Sequence, residues 1–298
     1  MGPAAEQPTA ASTPDRRQRG ASLALAAVVA FSTSPILVLW AAPLSPFEIT
    51  VGRLASATAL VWLLARLNGQ PLWPPRADLP RFAGFGLVTA LHFLSYVASL
   101  SFTTIAHSLA IVYTAPIFVT LFSATLLREP IARRKWLGVI VAVAGIGVLA
   151  GFEPRMNGRM IVGDLLALAS AVTFGLYSAA GRSQRGRYGL FTYAGAVYAL
   201  AALWALPAAL LNLTPAGYRP SSLLALLAAG LIPLGAGHTL YNAALRRTHA
   251  TTVNLIATQE VTGGVLLGAL FLGQMPQINE IVGAATALAG IALVLVDW

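Results

Sequence analysis

Apolar stretches of about 20 residues, the length of helix needed to cross a bilayer core, recur along almost the whole chain. Short turns rich in Pro, Gly and Arg separate them. Because lipid offers the backbone no hydrogen-bond partner, such stretches fold as membrane-spanning helices. We predict an all-α integral membrane protein with ten transmembrane helices, at residues 21–42, 47–65, 80–101, 105–127, 136–151, 161–181, 189–212, 221–245, 249–272 and 278–296.

Composition supports this fold class, since 57% of the residues are hydrophobic, only 10% are charged, and the mean hydropathy is +0.74. Soluble domains are far more polar. Residues 1–15 are polar and contain Pro and Ala, which predicts a disordered cytoplasmic tail. The basic start followed by an apolar run resembles a signal peptide, but the run continues to about Trp40, so we predict an uncleaved first helix. The chain has no cysteine, which excludes disulfides and thiol chemistry.

The net charge of +9 is explained by where the basic residues lie. With the N-terminus in the cytoplasm, fifteen Lys and Arg residues fall on the inner side of the membrane and three on the outer side. Loop Lys and Arg set the orientation of membrane helices. The pattern therefore predicts a multi-pass protein of the cytoplasmic membrane with both termini in the cytoplasm, and it explains the basic charge without a nucleic-acid partner.

The chain also contains an internal repeat. A shift of 145 residues aligns 96–148 with 241–293, with 13 identities in 53 positions and no gap, where chance gives roughly 5. A weaker match joins Gly20–Phe31 to Gly163–Phe174. These matches predict two five-helix repeats, 16–151 and 161–298. Since five is odd, the second repeat is inverted, as is typical of secondary transporters with a central substrate site. The alternative is duplication in a structural membrane protein.

The repeated segments carry a family resemblance. "IVYTAPIFVTLFSATLLREPIARRKWLGVIVAVAGIGVLA", 111–150, has a Pro-containing helix, a Leu-x-Glu turn and a helix of form G-x6-G, and the second copy begins "LIATQEVTGG". Both resemble the EamA type of the drug/metabolite transporter superfamily. The resemblance implies ten helices in two inverted repeats around a cavity, and export or exchange of small metabolites. Many members have Glu-Pro where this chain has Glu260-Val261, so we expect a helix break to be lost there; Gln274 replaces a second family Glu.

Glu260 lies near the middle of the ninth predicted helix. A charged side chain at the centre of a membrane helix costs about 2.5 to 3.5 kcal/mol, which points to a function. It is either a cavity carboxylate that binds an amino group, a cation or a coupling proton, or a hydrogen-bond anchor between helices. Asn254 gives the same helix a further polar group.

His92 and His238 lie at similar depths in the third and eighth predicted helices. Histidine changes charge near neutral pH, so the pair either couples transport to protons or forms a neutral wall. Small-molecule sites combine apolar walls with a few polar anchors. Further candidates for the lining carry an aromatic ring or an amide: Tyr96, Tyr113, Tyr177, Tyr241 and Asn242.

Arg53 lies about two turns into the second helix, and Glu48, one turn away, is its expected partner. We assign Arg53 a structural role, with binding of an anionic substrate group as the alternative. Prolines inside the predicted helices remove backbone hydrogen bonds and favour bends. Such bends serve movement or give static curvature; these residues are Pro35, Pro116, Pro207 and Pro233.

No metal-ligand spacing, nucleophile elbow or phosphate loop is present in the sequence, and the Gly-x-Gly run at 145–151 follows no strand. We therefore predict no catalytic residue, metal or cofactor. The predicted function is secondary transport, by alternating access, of a small metabolite, preferably an amino acid or an amine-bearing compound. The alternatives are a non-transporting scaffold or receptor and an integral membrane enzyme. The sequence assigns no oligomeric state.

Overall fold

The computed structural model describes residues 14–102, 108, 111–150, 158–215, 217–272 and 278–295. Within these ranges the regular structure is helical, without strands. The predicted disordered tail lies outside the described residues, apart from its last two positions, which begin the first helix. The described residues include seven helical stretches long and apolar enough to cross a membrane, and two shorter apolar helices at Ala115–Thr125 and Ile281–Val294.

The helices follow the predicted order. In the first half they are α1 (Pro14–Ser32), α2 (Ser34–Trp40), α3 (Pro46–Leu67), α4 (Leu79–Phe102), α5 (Ala115–Thr125) and α6 (Arg133–Ala150), with a 3-10 turn at Arg76–Asp78. In the second half they are α7 (Gly158–Ser183), α8 (Leu190–Leu211), α9 (Pro220–Ala229), a π-helical segment (Gly230–His238), α10 (Thr239–Leu245), α11 (Ala250–Ala257), α12 (Glu260–Leu272) and α13 (Ile278–Leu295).

The helix break expected to be lost at Glu260-Val261 is present, so that prediction is wrong. The ninth predicted helix is interrupted at Thr258 and Gln259 and restarts at Glu260. The cause is side-chain chemistry: the Thr258 hydroxyl donates to the Leu255 carbonyl at 2.7 Å, and the Gln259 N–H turns to the Ile256 carbonyl at 3.0 Å. Such local bonds compete with the helical pattern.

The same interruption occurs in the first half of the chain. Tyr113 and Thr114, which are the repeat counterparts of Thr258 and Gln259, form a turn ahead of α5. The Thr114 hydroxyl donates to the Ile111 carbonyl at 2.7 Å, and Pro116 takes the second position of α5, where its missing N–H costs nothing. Pro35 occupies the same position in α2.

The remaining two prolines behave differently. Pro233 lies inside the π-helical segment. Proline has no backbone N–H to donate, and the wider turns of a π-helix tolerate this missing hydrogen bond. A methyl group at Gly230 in this segment would lie 2.6 Å from the Ser56 side chain and 2.9 Å from the Arg53 carbonyl. The segment therefore packs directly on the backbone of α3. By contrast, α8 continues through Pro207 without interruption.

Helices α6 and α13 cross at their small residues. A methyl group at Gly145 would overlap the backbone nitrogen of Ala287, and one at Gly290 would overlap that of Ala142. Such close backbone approach is a common way for membrane helices to pack, since lipid gives no hydrophobic drive for their association.

The crossing yields a prediction with a matched control on the same helix. Gly145→Ala is expected to cost about 1 to 3 kcal/mol through overpacking, because the overlapped atoms are backbone. Gly147→Ala is expected to be neutral or slightly stabilising, since nothing lies within 4 Å of the added methyl. Thermal unfolding of the two purified variants in the same detergent measures the difference. Equal melting temperatures would mean that α6 and α13 do not pack as described.

Candidate binding site

A buried cavity lies where the interruptions of the predicted helices meet. Its volume is about 70 Å³, and one water needs about 10 to 15 Å³, so the cavity has room for several waters or the charged end of a small molecule. Polar side chains line it at Ser34, Arg53, His92, Tyr96, Tyr113, His238, Asn254, Thr258 and Glu260. The apolar lining comes from Phe31, Phe93, Val112, Ala115, Pro116, Phe174, Pro233 and Ala257.

Glu260 is placed in the cavity by the break in its helix. It is the first residue of α12, and a helix N-terminus carries partial positive charge that favours a carboxylate. Tyr113, from the matching break before α5, lines the cavity beside Glu260 and interacts with its carboxylate electrostatically. The two interrupted helices therefore meet at this side chain.

Arg53 faces the same cavity and is only 3% exposed. Its Nη2 donates to the Ser34 hydroxyl at 3.2 Å, and its guanidinium carbon lies 5.9 Å from the centre of the Phe93 ring. Its Nε and Nη1 have no hydrogen-bond partner in the part of the chain that the structure describes. Leaving buried donors unpaired is costly, so the two nitrogens are available to an acceptor that enters the cavity.

The expected partnership of Arg53 with Glu48 is wrong. Glu48 accepts hydrogen bonds from the Ser45 N–H at 2.9 Å and the Tyr218 hydroxyl at 2.8 Å, and also from the Thr214 hydroxyl. These bonds cap α3 and join the loop before α3 to the loop before α9. Glu48 is thus fully occupied away from the cavity.

The cavity therefore holds one positive and one negative side chain. Arg53 and Glu260 interact electrostatically, and the described contacts contain no direct ion pair between them at 4.0 Å or less. Opposite charges that share a buried site without neutralising each other leave both available to a ligand with two charges of its own.

The two histidines belong to an aromatic wall. The His92 ring lies 4.8 Å from the rings of Phe93 and Phe174, and the His238 ring lies 4.6 Å from that of Phe31. His92 Nδ1 is 3.0 Å from the Ser170 carbonyl oxygen and 2.9 Å from its hydroxyl. His238 Nδ1 has no partner among the described residues. The wall is apolar with isolated polar atoms.

Comparison with known proteins gives the family of the chain. A model of the EamA-like transporter family matches residues 18–151 and again residues 161–296. The chain belongs to the EamA-like transporter family. It is thus a multi-pass membrane transporter with a small-molecule substrate, and not an enzyme or a scaffold.

Several proteins resemble this EamA-like transporter. The pseudopaline exporter CntI of Pseudomonas aeruginosa is 30% identical over 271 residues, which cover 90% of this chain and 93% of that protein. A probable terminal-alkyne amino-acid exporter of Streptantibioticus cattleyicolor is 28% identical over 188 residues, or 60% of each chain. A solved crystal structure superposes with a TM-score of 0.80 at 23% identity, covering 93% of this chain and 96% of that one, which shows a shared fold.

Three of the predicted site residues of this EamA-like transporter lie in a packed layer beside the cavity rather than in its lining. The Asn242 side-chain nitrogen donates to the Tyr177 hydroxyl at 2.6 Å and to the His238 carbonyl at 2.9 Å. The Tyr241 and Ser178 hydroxyls are 2.7 Å apart. Tyr177, Tyr241 and Asn242 are each at most 2% exposed. The layer packs against the lining, since the Tyr241 ring lies 5.5 Å from the Phe174 ring and the Tyr177 ring lies 5.8 Å from the His238 ring.

The other predicted site residues line the cavity: Glu260, His92, His238, Tyr96, Tyr113, Asn254, Pro116 and Pro233. Pro35 follows the lining residue Ser34 but is not itself in the lining. Sequence reasoning missed Phe93, and it gave Arg53 a structural role with binding of an anionic group as the alternative, whereas the structure places Arg53 in the lining. The available signal for Arg53 was its position inside an apolar helix, where an ionisable residue is a functional candidate by default.

Proposed function

We propose that this EamA-like transporter exports a small zwitterion, an amino acid or a closely related metabolite, by alternating access. The proposal rests on one observation: Arg53 and Glu260 line the same buried cavity without forming an ion pair. A substrate carboxylate accepts hydrogen bonds from Arg53, whose fork of donors suits a carboxylate. A substrate ammonium pairs with Glu260. Each buried charge then gains the partner that it otherwise lacks.

The names of two relatives support a metabolite of this class. One relative is named a pseudopaline exporter and another a probable terminal-alkyne amino-acid exporter. In this chain the aromatic wall of Phe31, Phe174 and the two histidines contacts the apolar part of the substrate, since aromatic rings supply large contact areas. His92 and His238 serve as wall rather than as proton carriers. Glu260, the acidic residue in the lining, is where a coupling proton exchanges with the ammonium.

The transport cycle follows from the predicted ten helices and two inverted five-helix repeats, residues 16–151 and 161–298. Two features support this architecture: the family model matches once in each half, and helices break at repeat-related positions. The bends at Pro35, Pro116 and Pro233 allow the helix halves to move about the site. The positive-inside pattern supports a cytoplasmic membrane location with both termini in the cytoplasm.

Counterflow into proteoliposomes tests the proposal. The purified protein is reconstituted with an unlabelled amino acid inside, and entry of the labelled amino acid is compared with that of its decarboxylated amine and its deaminated acid. The zwitterion is expected to exchange at least about tenfold faster than either analogue, because each analogue loses one charge-assisted hydrogen-bond set. Protein-free liposomes give the background. Equal rates for all three compounds, or no counterflow with any amino acid of a broad panel, would contradict the proposal.

A further inference from the structure

A second charged cluster lies outside the cavity lining, near the beginning of α1, where Gly20 contacts Thr248. The Arg182 Nε donates to Glu129 Oε1 at 2.8 Å, and the His249 Nδ1 lies 3.2 Å from Glu129 Oε2. The Arg182 Nη1 also donates to the Leu245 carbonyl at 2.7 Å. The Glu129 and Arg182 side chains are only 12% and 10% exposed. One carboxylate therefore holds two basic side chains from different elements.

The cluster joins the two halves of the chain. Glu129 follows α5 in the first half, while Arg182 lies in the last turn of α7 and His249 precedes α11 in the second half. Arg128, next to Glu129, has a backbone φ of +52°, which is uncommon for a residue other than glycine. The turn is therefore held in a strained conformation that directs Glu129 into the cluster.

The carboxylate of Glu129 is ionised under all physiological conditions. Burial alone would raise its pKa, but the hydrogen bond from His249 and the positive charge of Arg182 lower the pKa to about 2 from an ordinary value of 4.5. A lowered pKa contributes stability above the ordinary value, and that contribution is lost only as the pH falls from 4.5 toward 2. Near neutral pH Glu129 is thus charged, and its contact with Arg182 is an ion pair.

Other polar contacts between loops occur at both ends of the bundle, and the loops that they join are related by the repeat. Glu48 joins the loop before α3 to the loop before α9. At the opposite end, Arg187 pairs with Asp78 at 2.6 Å and the Phe191 N–H bonds Gln70 at 3.1 Å, joining the loop before α8 to the segment before α4. Because each end has such a connection between the same repeat-related loops, we expect these loops to stay joined when two inverted repeats exchange their conformations.

The Glu129 cluster has no charged equivalent at the other end in the sequence. A shift of 145 residues pairs Glu129 with Gln274 and His249 with Thr104, both outside the described residues, and the shift of 143 that relates α1 to α7 pairs Arg182 with Leu39. If the repeats exchange conformations, one end closes with an ion pair and the other without one. The two closed states then differ in stability.

From this asymmetry we propose that Glu129, Arg182 and His249 form a gate that holds the cytoplasmic end closed and biases the empty transporter toward the state open to the outside. The proposal rests on the proposed function, because it takes the inverted repeats and the orientation from it. Substrate entering from the cytoplasm must separate Glu129 from both basic partners before it reaches the cavity.

A single introduced cysteine tests the gate, since the chain has none of its own. Ser123→Cys is a nearly isosteric change in α5, at a residue that is 0% exposed. The Ser123 carbonyl accepts a hydrogen bond from the Glu129 N–H at 3.0 Å, so the cysteine lies close to the gate. The cysteine is labelled with a membrane-impermeant maleimide from the cytoplasmic face, in inside-out vesicles. Adding Glu129→Gln is expected to speed this labelling about tenfold, which corresponds to a loss of about 1.4 kcal/mol in the preference for the closed cytoplasmic end.

Two further variants decide the outcome. Arg182→Gln is expected to act like Glu129→Gln, which keeps the test available if one variant fails to insert. Asp78→Asn removes an ion pair at the same end outside the gate and is expected to label at the parental rate. Parental rates in both gate variants, or equal acceleration by Asp78→Asn, would overturn the gate. Because labelling uses no substrate, failed zwitterion counterflow with altered labelling would reject the substrate class and leave the gate standing.

Discussion

Glu260→Gln is expected to reduce zwitterion transport by about 100-fold while the protein remains folded. The amide keeps the size of the side chain but removes its charge, so the substrate ammonium enters a buried site without a counter-charge. Leaving a buried charge unpaired costs about 2 to 5 kcal/mol, and about 3 kcal/mol corresponds to about 100-fold. Initial rates of counterflow, normalised to the amount of reconstituted protein, measure the effect.

A conservative variant separates charge from packing at this position. Glu260→Asp retains the carboxylate at the start of α12 but shortens the side chain by one methylene, so we expect it to keep part of the activity. The melting temperature and yield of both variants serve as controls for folding. A Glu260→Gln protein that transports the zwitterion at the parental rate would show that Glu260 is an anchor between helices, with Tyr113 as its partner.

Arg53→Gln is expected to remove the preference for a carboxylate. The rate of zwitterion transport should fall about 100-fold, because the substrate carboxylate then enters the cavity without a counter-charge. The decarboxylated amine, which has no carboxylate to place, should lose much less. Arg53→Lys keeps the charge without the fork of donors, and we expect intermediate rates because the two side chains are not equivalent at a bidentate site. Parallel loss for the zwitterion and the amine would indicate a structural role.

Stability distinguishes a charge pair from two independent residues. Each single variant leaves the other buried charge without its counter-charge, so Arg53→Gln and Glu260→Gln should each lower the melting temperature. The double variant removes both charges, so its loss of melting temperature is expected to be smaller than the sum of the two single losses, because opposite charges in one cavity stabilise each other even without direct contact. Strictly additive shifts would mean that the two side chains do not interact in the empty cavity.

Most of the correct predictions about the fold and the cavity come from hydropathy and from the positions of ionisable residues. The membrane helices and Glu260 follow directly from the cost of placing polar groups in lipid. Helical spacing places Glu48 one turn from Arg53, but it cannot reveal that Glu48 bonds Thr214 and Tyr218, 166 and 170 residues away. The true surroundings of Arg53 depend on long-range packing that no local pattern encodes.

The sequence does not predict how far a side chain lies from the cavity, nor where a helix breaks without a proline. Helical spacing correctly puts Tyr177, Tyr241 and Asn242 on inward faces. These residues lie only one layer of side chains away from the cavity lining, and a helical pattern cannot distinguish the two layers. The Glu-Pro motif of family members links the break before Glu260 to proline alone. Here the Thr258 hydroxyl donates to the Leu255 carbonyl. A threonine can make the same local bond in an unbroken helix, so its presence in the sequence does not predict the break.

The most direct test of the central claim compares ligand charges with side-chain charges in binding. The parent, Arg53→Gln and Glu260→Gln are each melted with the amino acid, its decarboxylated amine and its deaminated acid, since a ligand bound to the folded state raises its apparent stability. We predict that the parent is stabilised most by the zwitterion, that Arg53→Gln no longer distinguishes the zwitterion from the amine, and that Glu260→Gln no longer distinguishes it from the acid. A zwitterion preference that persists unchanged in both variants would contradict the account.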